Sequence, residues 1–301
     1  MNFIIVVVII KEESLLAQKI KNTEIKRKLN LKNDIIFKAF FSRKGNEKYL
    51  IDFLNAILKI EITSIQVKEE VNLEQLSTTE KGGRLDIQAI LNDGMIVNIE
   101  MQMRNLNNIE QRDDIYEAKT ISRHFPRGED YERAEEIVSI YILNYNLFGF
   151  NEYILDTIKV LNKHRDYQVN SISKEYYIQL PKFRESNPDM NDKLNQWLAI
   201  IDDQDRGKIE MAKSKNKIIK EAEVEIKYFT ADEEARYLAD LRDMWESDRT
   251  TELNHATRLG LEQGKKEKQI EIAKKMLEKN KDIEEIMELT ELTKEEIENL
   301  Q

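Results

Sequence analysis

Between Gly83 and Gln102 the chain reads GRLDIQAILNDGMIVNIEMQ, two runs of alternating apolar and polar residues on either side of Asn92-Asp93-Gly94. Alternation with a period of two marks strands that present two different faces. The residues between the runs are turn chemistry, because Asn and Asp side chains bond nearby backbone and Gly accepts positive φ. A three-residue loop ending in Gly fits a type I turn closed by a left-handed residue and a bulge. That loop length sets the pairing. Leu85 faces Met101, Ile87 faces Ile99, Ala89 faces Val97 and Leu91 faces Met95, a wholly apolar face. On the other side Asp86 meets Glu100, Gln88 meets Asn98 and Ile90 meets Ile96, with Gln102 two residues beyond Glu100. A slip of one residue mixes both faces, so the register is strongly specified.

Around this hairpin the pattern predicts a mixed α/β chain. Leu31 to Phe41 is too densely apolar for one exposed face, and Tyr49, Leu50, Phe53, Leu54, Ile57 and Leu58 recur at helical spacing. Both read as core-packing helices. Ile60, Ile62, Ile65 and Val67 suggest a first strand beside the hairpin, and Asn108 to Phe125 a polar helix. Ile137 to Leu143 is nearly continuous in apolar residues, as a strand buried on both faces would be. Tyr153 to Leu161 and Tyr176 to Leu180 look like further strands, the second ended by Pro181. The expected fold class is α/β, a mixed central β-sheet flanked by helices.

Past Phe183 the character becomes helical. Helices are predicted over Asn191 to Ile201 and Ile209 to Phe229, with Trp197 and Trp245 read as core residues. Thr230 and Glu233 have capping-box spacing for a third, long helix. Gly260 and Gly264 form a GxxxG, but their neighbours are Arg, Glu, Gln and Lys, which rules out a membrane seam and fits a charged helical arm. Ile283, Ile286, Met287, Leu289, Leu292, Ile297 and Leu300, with Thr293 and Glu296 as a cap, predict a terminal helical hairpin. It suits homo-oligomerisation or a helix-turn-helix, and its acidity argues against the latter. The expected division is an accessory segment 1–30, a core domain 31–185, a helical extension 186–251 and a charged arm with its hairpin 252–301.

Composition narrows the setting. The chain has 301 residues, 35% of them charged, a formal net charge of −10 and no cysteine. Such a chain fits a reducing cytoplasm and lacks the overall basic footprint of a non-specific DNA binder. Any contact with nucleic acid would rest on a local basic patch or on a metal. The opening MNFIIVVVII is far short of the roughly 20 apolar residues that span a membrane, and it lacks the basic start and cleavage site of a signal peptide. It reads as an accessory segment, a buried strand or a non-native extended start. Lys19 to Lys28 fits a solvated basic helix. No membrane partner is expected. The three histidines, His124, His164 and His255, show no ligand spacing.

The candidate chemistry sits in the hairpin. The predicted register sets Asp86 and Glu100 opposite each other, with Cβ atoms roughly 4.5–5.5 Å apart. Like charges so placed repel, and a divalent cation such as Mg²⁺, which prefers hard oxygen ligands, would relieve them. Two acids on a solvated strand face is the competing reading. Asp34 either caps its helix beside Asn33 or supplies a further carboxylate from the side. Arg112, Tyr116, Lys119 and Arg123 recur along one helix and offer a phosphate-binding stripe, while Glu110, Asp113, Asp114 and Glu117 offer solvated ion pairs instead.

These residues also carry a resemblance. The set Asp86, Glu100 and Gln102 resembles the D…(E)xK signature of PD-(D/E)XK nucleases, and more narrowly a recombination-promoting nuclease and transposase family within that superfamily. The similar stretches run in order through LKNDIIFKAFF (from Leu31), LIDFLNAIL (from Leu50), RLDI (from Arg84), NIEMQ (from Asn98) and QRDDIYEAK (from Gln111). They continue through ILNYNLF (from Ile142), QLPKF (from Gln179), TADEEAR (from Thr230) and the closing IEEIMELTELTKEEIENL. Gln102 stands where the wider signature has Lys. The resemblance implies a restriction-endonuclease-like core with a C-terminal all-α extension. It also implies DNA as substrate and a bound Mg²⁺, with Mn²⁺ able to substitute. Asp86 and Glu100 would hold the metal, with the Met101 carbonyl and Asp34 as further ligands. Gln102 would orient water, and Arg84, Arg112, Tyr116 and Lys119 would touch nucleic acid. A catalytically weak or inactive nuclease-fold module, binding DNA or oligomerising, is the alternative.

Overall fold

A computed structural model describes residues 29–68, 87–125, 128 and 130–300. The apolar opening, the expected helix Lys19 to Lys28, Arg84, Leu85 and Asp86 lie outside the described residues. The chain divides into two compact units, Met1–Leu241 and Arg242–Gln301.

The first unit is built on a six-stranded mixed sheet. Its strands are β1 (Ile65–Val67), β2 (Ile87–Leu91), β3 (Ile96–Gln102), β4 (Ile137–Leu143), β5 (Ile154–Asp156) and β8 (Ser173–Gln179), in the order β1-β2-β3-β4-β8-β5. β1, β2 and β3 pair antiparallel, whereas β3, β4 and β8 run parallel. A parallel neighbour needs a crossover, and between β3 and β4 the chain forms helix α3 (Ile109–His124). β4 is buried along its whole length, as its continuous apolar run foretold.

The hairpin has the predicted register. Ile87 pairs with Ile99, Gln88 with Asn98, Ala89 with Val97 and Ile90 with Ile96. The Leu91 N–H donates to Met95 O at 2.9 Å, and Gly94 closes the three-residue loop at φ +90°. Asp93 accepts from the Met95 N–H, while Asn92 reaches the N–H of Thr63 rather than its own turn.

One face of the sheet is the main core. Ile87, Val97, Ile99, Met101, Val138, Ile140, Ile142 and Ile178 pack there with helices α1 (Asp34–Ser42) and α2 (Glu47–Leu58). Phe37, Phe41, Phe53 and Trp197 make an aromatic nest, with Phe41 and Phe53 stacked at 5.7 Å. Trp197 is fully buried, as expected, and its indole N–H donates to buried Asp52 at 2.9 Å. It lies on α5 (Lys193–Asp202), which follows the short α4 (Leu180–Glu185).

Several boundaries differ from expectation. The expected strand Tyr153 to Leu161 is two pieces: β5 joins the main sheet, and β6 (Val160–Leu161) pairs only with β7 (His164–Gln168). The first strand is confined to β1, and Ile60 is exposed. The expected helix Ile209 to Phe229 is broken into α6 (Arg206–Lys215) and α7 (Lys217–Ala231). Asn216 is extended there, and its side chain accepts from the N–H groups of Ile218 and Ile219. Thr230 does not cap the next helix. Its hydroxyl donates to Ile226 O inside α7, and Asp232 accepts from the N–H groups of Glu234 and Ala235 at the start of α8 (Glu233–Glu278).

In the second unit Ala273 of α8 packs with Ile286, Leu292 and Ile297 of α9 (Ile283–Thr290), α10 (Lys294–Glu298) and their connection, which is the expected terminal hairpin. Thr293 and Glu296 form the predicted capping box. Trp245 is not a core residue: it is half-buried, with the guanidinium groups of Arg242 and Arg249 4.9 and 5.6 Å from its ring. Gly260 and Gly264 are exposed. Among the described residues no helix is long and apolar enough to cross a membrane.

Candidate active site

The second face of the sheet is polar, and the register lays it out in rows. Lys68, whose N–H donates to Gln88 O at 2.9 Å, continues β1 by one residue. Gln88 pairs with Asn98, Asn98 with Ser139, and Ser139 with Glu175. The next row holds Glu100, Tyr141 and Tyr177, and the one after it Gln102, Leu143 and Gln179. Side chains two apart on a strand share a face, so Glu100 and Gln102 project together.

Glu100 is the electrostatic centre of this face. Its Oε1 accepts from the Gln102 side-chain amide and, at 2.8 Å, from Arg112 Nη2. The carboxylate and the guanidinium are each largely buried, so water screens the pair weakly. Arg112 reaches Glu100 because α3 lies across the polar face. Ile109 of that helix packs with Tyr141, Leu143 and Tyr177, and Tyr141 stacks on Tyr177 at 5.3 Å.

A second contact seats the helix. The Tyr141 hydroxyl donates to Asp113, which is 3% exposed. Burial pushes the Asp113 carboxyl up to about 7; the Tyr141 bond opposes that rise, and Glu175, Glu117 and Asp114 add to it. Asp113 is therefore no member of a solvated ion-pair row. Tyr141 is itself held well above the ordinary phenol range by burial, then by Asp113 and Glu100. Tyr145 is pushed up to about 12 by burial, with Arg112 pulling it down and Glu100 pushing it up, which sets it within the same field.

The remaining sequence candidates fall as follows. Met101 is buried on the apolar face with its side chain in the main core. Asn33 is the helix cap, accepting from the Ile36 N–H, and buried Asp34 begins α1 with its Oδ1 accepting from the Ile35 N–H at 2.9 Å. α1 packs with its apolar residues on the apolar side of the sheet. Tyr116 and Lys119 lie together on α3, the ammonium 5.6 Å from the ring centroid. Arg84 and Asp86 lie outside the described residues. The structure thus brings Glu100, Gln102 and Arg112 together.

Lys68 and His124 also belong to this face, and sequence reasoning gave neither a role. The His124 Nδ1 contacts Thr120 O at 2.9 Å, and Lys68 Nζ meets its Nε2. The signal for Lys68 was its alternation with Val67, which packs against the main core and so turns its neighbour to the polar side.

The donor set suits a hard cation: a carboxylate, a side-chain amide and a strand carbonyl are all oxygen ligands. Among the described residues no group of three or more His, Cys, Asp or Glu is placed to hold a metal. Comparison with protein families matches residues 31–256 to the model described as PD-(D/E)XK nuclease family transposase. No curated protein and no solved structure gave a match.

Proposed function

We propose, taking as premise that the chain belongs to the PD-(D/E)XK nuclease family transposases, that it is a metal-dependent DNA endonuclease. Asp86 and Glu100 would hold Mg²⁺ or Mn²⁺, with the Met101 carbonyl and Asp34 as further ligands. Bound there, the cation supplies Lewis acidity toward a phosphodiester and a lowered pKa for a ligated water. The observation that supports this reading is the hairpin register, in which Ile87 pairs with Ile99 and Glu100 and Gln102 share one face.

The chain's own groups have separate tasks. Gln102, held against Glu100, would orient the attacking water by hydrogen bonding. Arg112 would neutralise Glu100 in the metal-free protein and turn to a phosphate oxygen when metal and DNA arrive. Arg84, Tyr116 and Lys119 would extend the contact along the backbone. Asp113 and Tyr141 would hold α3 over the site. A neutral amide cannot stabilise developing negative charge as an ammonium does, so slow turnover is expected.

A second reading, an inactive DNA-associated module, draws support from Gln102 and from the Arg112 cation already on Glu100. Plasmid nicking with Mg²⁺ or Mn²⁺, compared among wild type, Asp86→Asn and Glu100→Gln, separates the two. Loss of nicking in both variants, with folding intact by circular dichroism, is the expected result. Nicking that persists in both would reject the assigned site, and DNA binding with no wild-type nicking would favour the inactive module.

A further inference from the structure

Between β5 and β8 the chain leaves the main sheet and makes a two-stranded ribbon. Every residue of β6 and β7 is exposed, and the two strands pair only with each other. Val160 pairs with Gln168, and the Val169 N–H donates to Lys159 O at 2.7 Å, which sets Lys159 opposite Val169. Leu161 pairs with His164, so Arg165, Asp166 and Tyr167 bulge out between the two pairs. Lys163 sits in the turn. Tyr167 is 61% exposed. Among the described residues none of Lys159, Lys163 or Arg165 forms an ion pair. In a chain of net charge −10, three cations and an aromatic ring thus share one short projection with a single acid, Asp166.

We infer that this ribbon is a DNA-contacting arm that lays Lys159, Lys163 and Arg165, with Tyr167 beside them, against duplex phosphates. The inference rests on the endonuclease reading and names where the substrate is gripped. A two-stranded ribbon is narrow enough for the major groove, Lys and Arg neutralise phosphates, and a tyrosine supplies a hydroxyl or a stacking face. The ribbon is also within reach of the candidate site. Its root, where the Thr157 N–H donates to Glu175 O, lies in the row beside that of Glu100 and three strands away. Strand spacing makes that about 14 Å across and about 7 Å along. A duplex passing Glu100 would meet the ribbon well within one helical turn of about 34 Å.

The test is duplex binding by the full chain, followed by fluorescence anisotropy with a labelled duplex of about 30 base pairs in EDTA, between about 50 and 200 mM salt. Replacing Lys159, Lys163 and Arg165 together by Gln should make the slope of log K against log salt shallower by about 3 and weaken binding at 0.1 M salt on the order of 10²-fold. The single change Lys163→Gln, at an exposed turn, should shift the slope by about 1, and Tyr167→Ala should weaken binding with the slope unchanged. If wild type binds and the triple variant keeps its affinity and slope, the ribbon assignment fails and the endonuclease reading stands. If wild type binds no duplex in EDTA or with Ca²⁺, both fall. A triple variant that keeps DNA binding but loses association with another protein, Val160 and Leu161 being exposed on the same ribbon, also overturns the assignment.

Discussion

Replacing Asp113 by Asn should make the protein more stable at pH 8 and remove a pH dependence that wild type has. Asp113 is a buried residue of α3, and its carboxyl is raised from 3.8 to about 7, with desolvation as the largest cause. For an acid the raised value means that the folded chain holds a proton the unfolded chain has released. Between about pH 4 and pH 7 the folded state therefore binds one more proton, and stability falls as pH rises by about 1.4 kcal/mol per pH unit. Below that window the group costs nothing, and above it the loss is complete, about 4 kcal/mol in all. Asn keeps an oxygen that can accept from the Tyr141 hydroxyl but carries no charge to desolvate. Urea denaturation of wild type and Asp113→Asn at pH 5, 6, 7 and 8, followed by tryptophan fluorescence, measures the difference; Trp197 lies in the unit concerned. The variant's advantage should be small at pH 5, grow through pH 7 and then level off. A difference that stays constant with pH, or an advantage that shrinks as pH rises, would refute a buried carboxyl paying a desolvation cost.

Two further outcomes follow from the hairpin and its covering helix. Arg112→Met removes the cation on Glu100, so the affinity for Mn²⁺, read from the free-ion signal in electron paramagnetic resonance, should rise roughly tenfold or more; unchanged affinity would place the metal elsewhere. Gly94→Ala forces a Cβ onto a backbone at φ +90° and within 2.9 Å of the Glu135 carboxylate, so it should lower thermal stability by about 1–3 kcal/mol; a neutral result in a denaturation melt would mean that the turn relaxes freely.

What could be read from the sequence was whatever is local. The hairpin register followed from a turn of fixed length and two alternating runs, so Glu100 and Gln102 could be placed on one face from spacing alone. The burial of β4 followed from seven residues with almost no polar interruption. Contacts between elements were not legible in the same way. Arg112 stood out as a helical cation, yet nothing in its neighbours says that α3 lies across β3 and β4 with Arg112 above Glu100. Asp113 looked like one acid among several, because its partner, Tyr141, comes 28 residues later. The break at Asn216 was missed for a subtler reason: helical periodicity continues through it, and only the side-chain cap distinguishes two helices from one. The same competition misplaced the start of α8, where Asp232 rather than Thr230 satisfies the first N–H groups.

The parallel pairing of β3 with β4 has a bearing on the order in which the polypeptide comes together. β2 and β3 are joined by three residues and can zip early, whereas β4 arrives only after a long crossover and β8 later still. Non-local pairings close slowly because the intervening loop must first lose its freedom. Tyr141 is delivered by β4, so the helix bearing Arg112 has no seat until that step. A nascent chain would thus carry a finished ribbon of two strands well before Glu100, Gln102 and Arg112 could be brought together.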